Sequence, residues 1–510
     1  MNGQLFAFIL YFALVIGIGL YFFFRTRGGN EKDYFLGGRS MGPWVTAMSA
    51  QASDMSGWLL MGFPGSILAF GMGKVWIGIG LALGTALNWI FMAKRLRNFS
   101  AAADDAITLP QYLKNRFAAK NNALQIICAI VFLVFFTLYV ASSFVAGKTV
   151  LQKVIPQLAD KDTLALGIFA LIIVLYTFTG GFKAVCWTDF FQGMLMLVAL
   201  LAVPIIVLLF KDPDMTKLSF VVNGEPNNFN ANPFTVPWQE IVTGLGWGLG
   251  YFGMPHIIVR FMAIKKASMV KKSATVAIIW VVLSLGAAIA IAILGRTFAF
   301  GQQLVADGAK EKIFIEFASE LFPPFVAGLV LSAIVAAAMS TADSQLLVAS
   351  SSFTSDIYKP VFRKNASDTE VLWIGRIVVA LVAVVAFVIA KYRGQADGAI
   401  MKLVDNAWAG FGSAFGPVIL LSLFWRRMTY SGAIAGVVGG AAMDVAWRIL
   451  LTGEHPVLAG TGFFNTFGTV YEIVPGFLFG LICCVAVSLI GKNPPKEVEE
   501  IFDRAVAAND

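Results

Sequence analysis

The sequence has few charged residues, few cysteines and almost no histidine. Only 13% of its 510 residues are charged, against 58% hydrophobic residues, and it contains 4 Cys and 2 His. A soluble protein of this length cannot bury so much apolar surface, because a core grows too slowly relative to its surface. The cysteines lie in or beside apolar runs without CxxC spacing, so neither a metal site nor a disulfide framework is indicated. The composition therefore excludes a soluble enzyme, a disulfide scaffold, a disordered chain and a collagen.

Signatures of catalysis and of nucleic-acid binding are also missing from the sequence. His256 and His455 are far apart, and no HExxH, P-loop or GxSxG motif stands in a suitable context. The net charge of +8 comes from short basic loops between apolar runs and not from one basic face. We therefore expect no enzyme activity, no nucleic-acid partner and no obligatory protein partner.

The sequence does contain a long series of apolar runs. Runs of about 18 to 25 mostly apolar residues are long enough to cross a lipid bilayer as helices. Such runs lie near 5–24, 43–70, 73–93, 123–146, 163–182, 187–210, 240–259, 273–298, 325–350, 371–390, 398–424, 430–450 and 467–491. The sequence thus predicts an all-α polytopic membrane protein with about 13 transmembrane helices and one transporter domain over 1–510. No cleavable signal follows the first run.

Lysine and arginine are distributed unevenly between the connecting loops. The loops on one side, with the C-terminal tail 492–510, carry 25 of the 38 basic residues, and the other side carries 13. Because cytoplasmic loops carry an excess of Lys and Arg, the N-terminus is predicted outside and the C-terminus in the cytoplasm. The strongest inward markers are 94–97 and the basic group that begins at Arg260. Residues 211–239 are expected to form an outer loop, and 497–508 a short helix.

Two of the apolar runs are interrupted, and we call them span two (43–70) and span seven (240–259). Span two contains the polar stretch 48–58, and span seven has five glycines and a proline within 244–255. Unpaired backbone in hydrocarbon costs several kcal/mol per group, so unwinding is tolerated only where protein, water or a ligand supplies hydrogen bonds. Two interrupted spans at matching positions in two halves are typical of a transporter binding site. Close helix packing through glycine is the alternative for span seven.

The separation of the two interrupted spans predicts an internal repeat. They lie five spans apart, and an odd number of spans inverts the second copy relative to the first. The predicted arrangement comprises an extra N-terminal span 5–24, a first inverted repeat 43–210, a second inverted repeat 240–424, and two C-terminal spans within 430–491.

Ionisable side chains inside the spans are candidate functional residues, because each costs at least ~2.5–3.5 kcal/mol to insert. They are Asp54, Asp189, Asp343, Asp405 and Asp444. Asp189 and Asp444 lie within a turn of a span end, where an interfacial position is the simpler interpretation. The run 340–344 places four oxygen-bearing side chains on one helical turn, which favours a small cation site over back-bonding to helix carbonyls. Trp58, Trp247 and Tyr251 flank the two breaks and indicate either a substrate wall or an ordinary aromatic belt.

A series of ordered motifs resembles the sodium:solute symporter family. The motifs are LGGRSMGP at 36–43, ASDMSGW at 52–58, SS at 142–143, GGF at 180–182, WTD at 187–189, GWGLGYF at 246–252, PH at 255–256, RFM at 260–262, MST at 339–341, AWAGFG at 407–412 and PGF at 475–477. The resemblance covers roughly residues 5–492. It implies a leucine-transporter-like fold with a 5+5 inverted repeat, two broken helices and alternating access.

The resemblance also implies functional residues. It implies a sodium site formed by the backbone carbonyls of Ala52, Met55 and Ala337 with the hydroxyls of Ser340 and Thr341. It links Arg39 and Asp54 to sodium coupling. A second sodium, present in some members, would use Asp189, Asp343 and Ser344, and here Asp343 replaces a small hydroxyl residue. The implied substrate pocket consists of Ser56, Gly57, Trp58, Tyr139, Trp247, Tyr251 and Pro255.

The function implied by the resemblance is sodium-driven import of L-proline across the plasma membrane. Met254 stands where a proline-type member is expected to have glutamine, and Gln51 stands where it is expected to have glycine. These departures leave another small solute open, such as a different amino acid, an osmolyte or a short carboxylate. A channel would show a filter ring or a series of pore-lining charges, and the sequence has neither.

Overall fold

Helices make up most of the structure, a computed structural model that describes residues 3–25, 30–222, 224–453 and 455–508. The first half of the chain contains α1 Gly3–Arg25, α2 Glu31–Leu36, α3 Pro43–Asp54, α4 Phe63–Phe70, α5 Val75–Leu87, α6 Ala93–Ala102, α7 Leu109–Arg116, α8 Ala123–Val154, α9 Asp162–Thr179 and α10 Phe182–Phe210. The second half contains α11 Trp238–Gly246, α12 Pro255–Ala263, α13 Val270–Arg296, α14 Ala299–Ala306, α15 Ile313–Leu321, α16 Pro324–Phe353, α17 Asp368–Arg393, α18 Ala399–Phe424, α19 Tyr430–Trp447, α20 Gly462–Phe467, α21 Ile473–Ile490 and α22 Lys496–Ala507. The predicted tail helix is thus confirmed as α22.

The loop predicted over 211–239 contains local structure. Two short strands, β1 Phe220–Val222 and β2 Glu225–Asn227, pair antiparallel, with Phe220 opposite Asn227. The pair lies between α10 and α11, the helices on either side of the boundary predicted between the two repeats.

The long helices fit a membrane-spanning protein. Among the described residues, ten helices are long and apolar enough to cross a membrane, and Trp58–Phe70 and Asp162–Phe178 are shorter apolar helices. The all-α membrane fold is therefore confirmed, whereas the number of thirteen spans and the repeat boundaries stay predictions. α16 and α18 lie centrally, since 83% of their most apolar stretch is buried, against 28% for α1.

Span two breaks at the end of α3. Met55 leaves the helical conformation (φ −81°, ψ 76°). The amide of Ser56 would reach the carbonyl of Ala52 in an unbroken helix. It donates to the carbonyl of Asp54 instead, at 2.9 Å. The break thus leaves the Ala52 carbonyl without its helical hydrogen bond from Ser56. The span resumes as a π turn at Trp58–Gly62, followed by α4.

Span seven breaks between α11 and α12. The six residues Trp247–Phe252 form a 3₁₀ segment, after which Met254 is extended (φ −75°, ψ 106°) and Pro255 begins α12. A residue before proline is disfavoured in a helix, and proline is well suited to the first helical position. Both interruptions therefore occur within the stretches where the sequence predicts them.

Main-chain hydrogen bonds join the two broken spans at one end of the bundle. The amide of Met41 donates to the carbonyl of Ala263 at 3.3 Å, and the amide of Lys265 donates to the carbonyl of Met41 at 3.0 Å. Together they form a short parallel bridge between Met41 and Ile264. The residues just before span two are thus fastened to the end of α12.

Candidate ion and substrate site

Oxygen atoms from span two and α16 converge at the first break. The hydroxyl of Ser340 lies 2.7 Å from the carbonyl oxygen of Ala52 and 3.2 Å from that of Ala337. The neighbouring hydroxyl of Thr341 is buried and has no hydrogen-bond partner among the described residues. Met55 lies at the break itself, three residues after Ala52. The structure therefore brings four of the five predicted sodium ligands onto two facing helices, with the fifth at the break.

Asp54 is the centre of a second set of contacts. Its carbonyl accepts hydrogen bonds from the indole of Trp58 and the hydroxyl of Tyr139, each at 3.2 Å. Its carboxylate accepts one from the hydroxyl of Tyr251 at 2.5 Å. Three predicted substrate residues from different helices are thus gathered around one aspartate.

The remaining aromatic residue of the predicted pocket, Trp247, reaches this group through Trp408. The Trp408 indole donates to the Trp247 carbonyl at 2.7 Å, and the ring of Trp408 packs edge-on against Tyr251 at 5.1 Å. Trp247 also stacks on Tyr471 at 5.1 Å. The sequence analysis did not assign Trp408 to the pocket, although this residue lies in the motif AWAGFG at 407–412.

All the predicted pocket residues are buried in the bundle, namely Ser56, Gly57, Trp58, Tyr139, Trp247, Tyr251 and Pro255. Gly57 has a packing reason for its identity, because a Cβ atom there would lie 2.5 Å from the Cβ atom of Ala146 in α8. This close approach brings α8, which carries Tyr139, against the break in span two.

The residues of the predicted second sodium site surround Arg260. The Arg260 guanidinium lies 3.0 Å from the Asp189 carboxylate and donates to the hydroxyl of Ser344 at 2.5 Å and of Ser49 at 2.9 Å. The Ser344 hydroxyl in turn lies 3.4 Å from Asp343. One oxygen of Asp189 and one of Asp343 have no hydrogen-bond partner among the described residues. The guanidinium therefore pairs directly with Asp189, and Ser344 connects it to Asp343.

Asp189 is completely buried and ion-paired, so its carboxylate does not reach the protein surface, and its depth in the membrane stays a prediction. One interpretation from the sequence is wrong. Arg260 is only 1% exposed, so it is not a charge of a cytoplasmic loop. Sequence reasoning missed its role because Arg260 ends an apolar stretch and precedes a basic loop, and no local pattern connects it with Asp189, 71 residues earlier.

Arg39 lies apart from Asp54, at the opposite end of α3. It donates to the Asp105 carboxylate at 2.7 Å, to the Ser100 hydroxyl at 3.0 Å and to the Met262 carbonyl at 2.5 Å. These contacts join the approach to span two to the end of α12. The predicted link of Arg39 to coupling would therefore act through this junction and not through contact with the ion.

Asp405 and Asp444 belong to a different polar group. Asp444 is completely buried and lies 3.5 Å from Arg448 at the end of α19, and its depth in the membrane stays a prediction. Arg448 also pairs with Glu472 at 2.9 Å, and the Tyr471 hydroxyl donates to the carbonyl of Asp405 at 2.8 Å. This group is held by helices α18, α19 and α21 and their ends, not by the broken spans.

A carboxylate from the loop between α14 and α15 closes over the start of α18. Glu311 accepts hydrogen bonds from the amides of Met401 at 3.1 Å and Ile400 at 3.4 Å. Burial raises the pKa of Glu311 to about 7, although both amide hydrogen bonds act to lower it. The backbone beside Glu311 also touches the second half of span two, where a Cβ on Gly65 would lie 2.8 Å from the Lys310 carbonyl.

The arrangement of helices is shared with two transporters of known structure. A sodium-coupled sialic acid symporter in a substrate-bound outward-open state matches with a TM-score of 0.74 at 18% identity, over 97% of this chain and 99% of that one. A nucleobase-cation-symport-1 family transporter in a closed conformation matches with a TM-score of 0.55 at 14% identity, over 92% and 97%. The fold, with its two broken helices, is that of leucine-transporter-like secondary transporters.

Sequence comparison defines the family within this class. The sequence model of the sodium:solute symporter family matches residues 34–440. The sodium/proline symporters of Haemophilus influenzae and Escherichia coli K12 are each 42% identical over 99% of this chain, and over 98% and 96% of those proteins. A high-affinity proline transporter of Bacillus subtilis is 42% identical over 94% of this chain and 97% of that protein. The chain belongs to the sodium:solute symporter family, which confirms the predicted family.

Proposed function

We propose that this protein imports L-proline together with sodium across the plasma membrane by alternating access, with its N-terminus outside and its C-terminus in the cytoplasm. Three relatives that match nearly the whole chain are named as proline transporters, and two of those names include sodium. The charge bias of the loops supports the orientation, and removing the buried Arg260 from the count leaves that bias intact. The observation that carries the proposal is the Ser340 hydroxyl, 2.7 Å from the Ala52 carbonyl at the break in span two.

In this proposal, sodium joins span two to α16. Carbonyl oxygens of Ala52, Met55 and Ala337 and the hydroxyls of Ser340 and Thr341 provide oxygen ligands of the kind that hard cations prefer. An ion held by both helices stabilises the state in which they are close, and coupling follows because ion and solute have different affinities for the two states. One sodium ion moving inward across ~100 mV contributes ~2.3 kcal/mol.

The solute is proposed to bind beside Asp54, between the two breaks. Trp58, Tyr139 and Tyr251 provide apolar ring surfaces that suit a small cyclic molecule. Main-chain amides at the broken ends are suited to a carboxylate, because the N-termini of helices attract negative charge. L-proline carries both features.

The second sodium position stays part of the proposal. Arg260 pairs with Asp189 and is connected to Asp343 through Ser344, so this group carries one formal negative charge if both carboxylates are ionised. A sodium ion that is also held by Ser344 would balance that charge. A buried carboxylate without a counterion is expensive, which supports a cation at this position.

The test is uptake of radioactive L-proline by proteoliposomes with and without an inward sodium gradient. Ser340→Ala is expected to raise the half-saturating sodium concentration by about tenfold or more, which corresponds to about 1.4 kcal/mol. Ser332→Ala is the matched control, because Ser332 is a buried serine of the same helix whose hydroxyl donates to the Gly328 carbonyl at 2.8 Å. Proline uptake that is indifferent to sodium contradicts the proposal.

Two buried residues in the broken spans, Gln51 and Met254, support a solute other than L-proline. Gln51 is buried, and neither atom of its carboxamide has a partner among the described residues. Met254 is likewise buried, in the extended turn before Pro255. Other amino acids, osmolytes and short carboxylates are therefore tested as competitors. Saturable sodium-driven uptake of one of them, with proline unable to compete, would replace proline as the substrate.

A further inference from the structure

A cavity of about 850 Å³ opens on the surface of the bundle between α1 and α10. Residues of both helices line it, together with Ser40 and Met41 from the segment before span two. Leu14, Tyr21 and Phe191 at its walls are exposed apolar or aromatic side chains. Because both helices are long and apolar enough to cross a membrane, this surface contacts lipid. The cavity is therefore accessible from the bilayer.

A glycine of α1 leaves this space open. Gly17 lines the cavity, and no atom lies within 4 Å of the position of an added Cβ. The two helices are joined before and after this residue. The side-chain amide of Gln192 donates to the Tyr11 hydroxyl at 2.9 Å. The rings of Phe22 and Trp187 stack with their centres 6.0 Å apart. The gap is thus fixed by contacts on either side of Gly17 along α1.

One side chain in the lining of the cavity is charged. Lys183, in the first turn of α10, is partly exposed, and among the described residues it forms no ion pair with a carboxylate. Its stem lies beside the turn at Gly37, where an added Cβ would lie 3.6 Å from the Lys183 Cγ. None of the residues that line the cavity is acidic. The cavity therefore combines apolar walls with a single positive charge.

Tryptophan and lysine residues indicate that this end of the cavity lies at the depth of the lipid headgroups. Trp187 follows Lys183 by one turn of α10. A second pair lies at the same end of the bundle, where the ammonium group of Lys272 is 5.6 Å from the centre of the exposed Trp44 ring. Trp44 is three residues after Met41, which lines the cavity. Tryptophan is enriched at the membrane–water interface, and lysine extends its ammonium group towards the headgroups.

We propose that this cavity binds an anionic phospholipid, with the phosphate at Lys183 and an acyl chain in the gap beside Gly17. Basic pockets between membrane helices on the cytoplasmic side bind anionic headgroups, and this end faces the cytoplasm in the orientation proposed above. A zwitterionic headgroup carries its own cation, which competes with the lysine for the phosphate. An anionic lipid therefore matches the charge of the cavity better than a zwitterionic lipid does.

The proposed lipid site is separate from the residues proposed to bind sodium and the solute. It contacts them through two elements that also form the lipid site. Met41 lines the cavity and forms the bridge with Ile264, and α10 carries Asp189. A bound lipid would therefore stabilise the junction between the two broken spans.

The experiment is native mass spectrometry of the purified full-length protein, titrated with phosphatidylglycerol or with phosphatidylcholine. The unaltered protein is expected to bind its first phosphatidylglycerol at least about fivefold more tightly than phosphatidylcholine. Lys183→Gln is expected to weaken phosphatidylglycerol binding by about fivefold, which corresponds to about 1 kcal/mol, and to leave phosphatidylcholine binding within about twofold. Lys183→Arg keeps the charge and is expected to bind both lipids like the unaltered protein.

Lys271→Gln is the matched control for the loss of one positive charge. Lys271 is an exposed residue at the start of α13, and it does not line the cavity. Its replacement is expected to leave the affinity for the first phosphatidylglycerol within about twofold. A loss equal to that of Lys183→Gln would overturn the proposal, because it would show that the basic surface as a whole attracts the lipid.

Gly17→Phe tests the cavity itself. The added ring occupies the gap, so phosphatidylglycerol binding is expected to weaken by about fivefold or more. Gly286→Phe is its control, because Gly286 is an exposed glycine of α13 where an added Cβ would also meet no atom within 4 Å. This control is expected to bind phosphatidylglycerol like the unaltered protein.

Two further results would overturn the proposal. One is equal affinity of the unaltered protein for the two lipids, a measurement that needs no variant to fold. The other is unchanged phosphatidylglycerol affinity in both Lys183→Gln and Gly17→Phe. Neither sodium nor a solute is present in these titrations, so failure of the proposed import leaves the readout intact.

Discussion

At the scale of single residues, the ion pair of Arg260 and Asp189 joins two helices, α12 and α10, in the interior of the bundle. Removing one partner of a buried pair leaves the other charge without compensation, which typically costs about 3–5 kcal/mol. Arg260→Gln is therefore expected to lower thermal stability strongly and to leave two carboxylates that attract a cation. Sodium should raise the melting temperature of this variant more than that of the unaltered protein. A variant that melts like the unaltered protein, with and without sodium, would contradict this expectation.

Glu311 predicts a dependence of stability on pH. Burial raises its pKa to about 7 from the usual 4.5 of glutamate, so the folded protein holds this proton more tightly than the unfolded chain does. Its contribution to stability is complete below about pH 4.5 and is lost as the pH rises through about 7. Glu311→Gln cannot lose a proton. Thermal unfolding of both proteins over this pH range should show stability falling with pH in the unaltered protein relative to the variant, and parallel curves would contradict the prediction.

The sequence predicts individual residues where their surroundings are local. The freed carbonyl of Ala52 follows from the break in span two, and Ser340 and Thr341 follow from polar residues on one turn of α16. The Arg260–Asp189 pair does not, because its partners lie in different spans and each has an ordinary local explanation. Thr85 is equally hidden, since an isolated polar residue in an apolar span has no pattern until the fold packs its neighbour Gly84 against Tyr251.

At the scale of elements, the third apolar run, 73–93, packs closely against the unwound part of span seven through glycine. A Cβ on Gly84 would lie 2.4 Å from the Gly248 carbonyl, a backbone atom that cannot turn aside. Gly84→Ala is expected to destabilise the protein by about 1–3 kcal/mol, because the added methyl group overpacks this contact.

Gly286→Ala is the control for this substitution. Gly286 lies within α13, and no atom lies within 4 Å of the position of an added Cβ. Replacing a helical glycine with alanine at an open position is expected to stabilise the protein by about 0.5–1 kcal/mol. Thermal unfolding in detergent measures both variants, and equal effects would contradict the packing argument.

The sequence predicts the ends of helices well where local residue types determine them, and poorly where tertiary contacts do. Pro255 and the glycines before it determine where α12 begins, and the polar stretch of span two marks where α3 ends. The short helices α14, α15 and α20 lie in loops for which the sequence predicts nothing. Such short helices are marginal on their own and depend on tertiary contacts, as for α15, which buries Ile313, Phe314 and Phe317.

At the scale of the whole molecule, the tail helix α22 is part of the packed structure. The guanidinium of Arg116, which is completely buried, lies 5.0 Å from the Phe502 ring and donates to the Val498 carbonyl at 3.0 Å. The Phe502 ring also packs edge-on against Phe99 of α6 at 5.2 Å. The tail helix therefore packs against α6 and stabilises its position. Arg97 of α6 in turn donates to the Ile264 carbonyl at 2.7 Å.

Phe502→Ala is expected to destabilise the protein by about 3–5 kcal/mol, because it removes a large buried side chain and exposes the Arg116 cation. Val506→Ala on the same helix is the control, since Val506 is 49% exposed and its loss should change stability by less than about 0.5 kcal/mol. Thermal unfolding of the purified variants provides the measurement. If both variants melt at the same temperature, α22 is not a stabilising part of the fold.

The bridge between Met41 and Ile264 consists of main-chain hydrogen bonds alone. Substituting a side chain at either position therefore leaves these hydrogen bonds in place. The two donors are the main-chain amides of Met41 and Lys265. Among single substitutions at these positions, only a change to proline removes a donor. Any other single substitution at these two positions is expected to leave both main-chain hydrogen bonds in place.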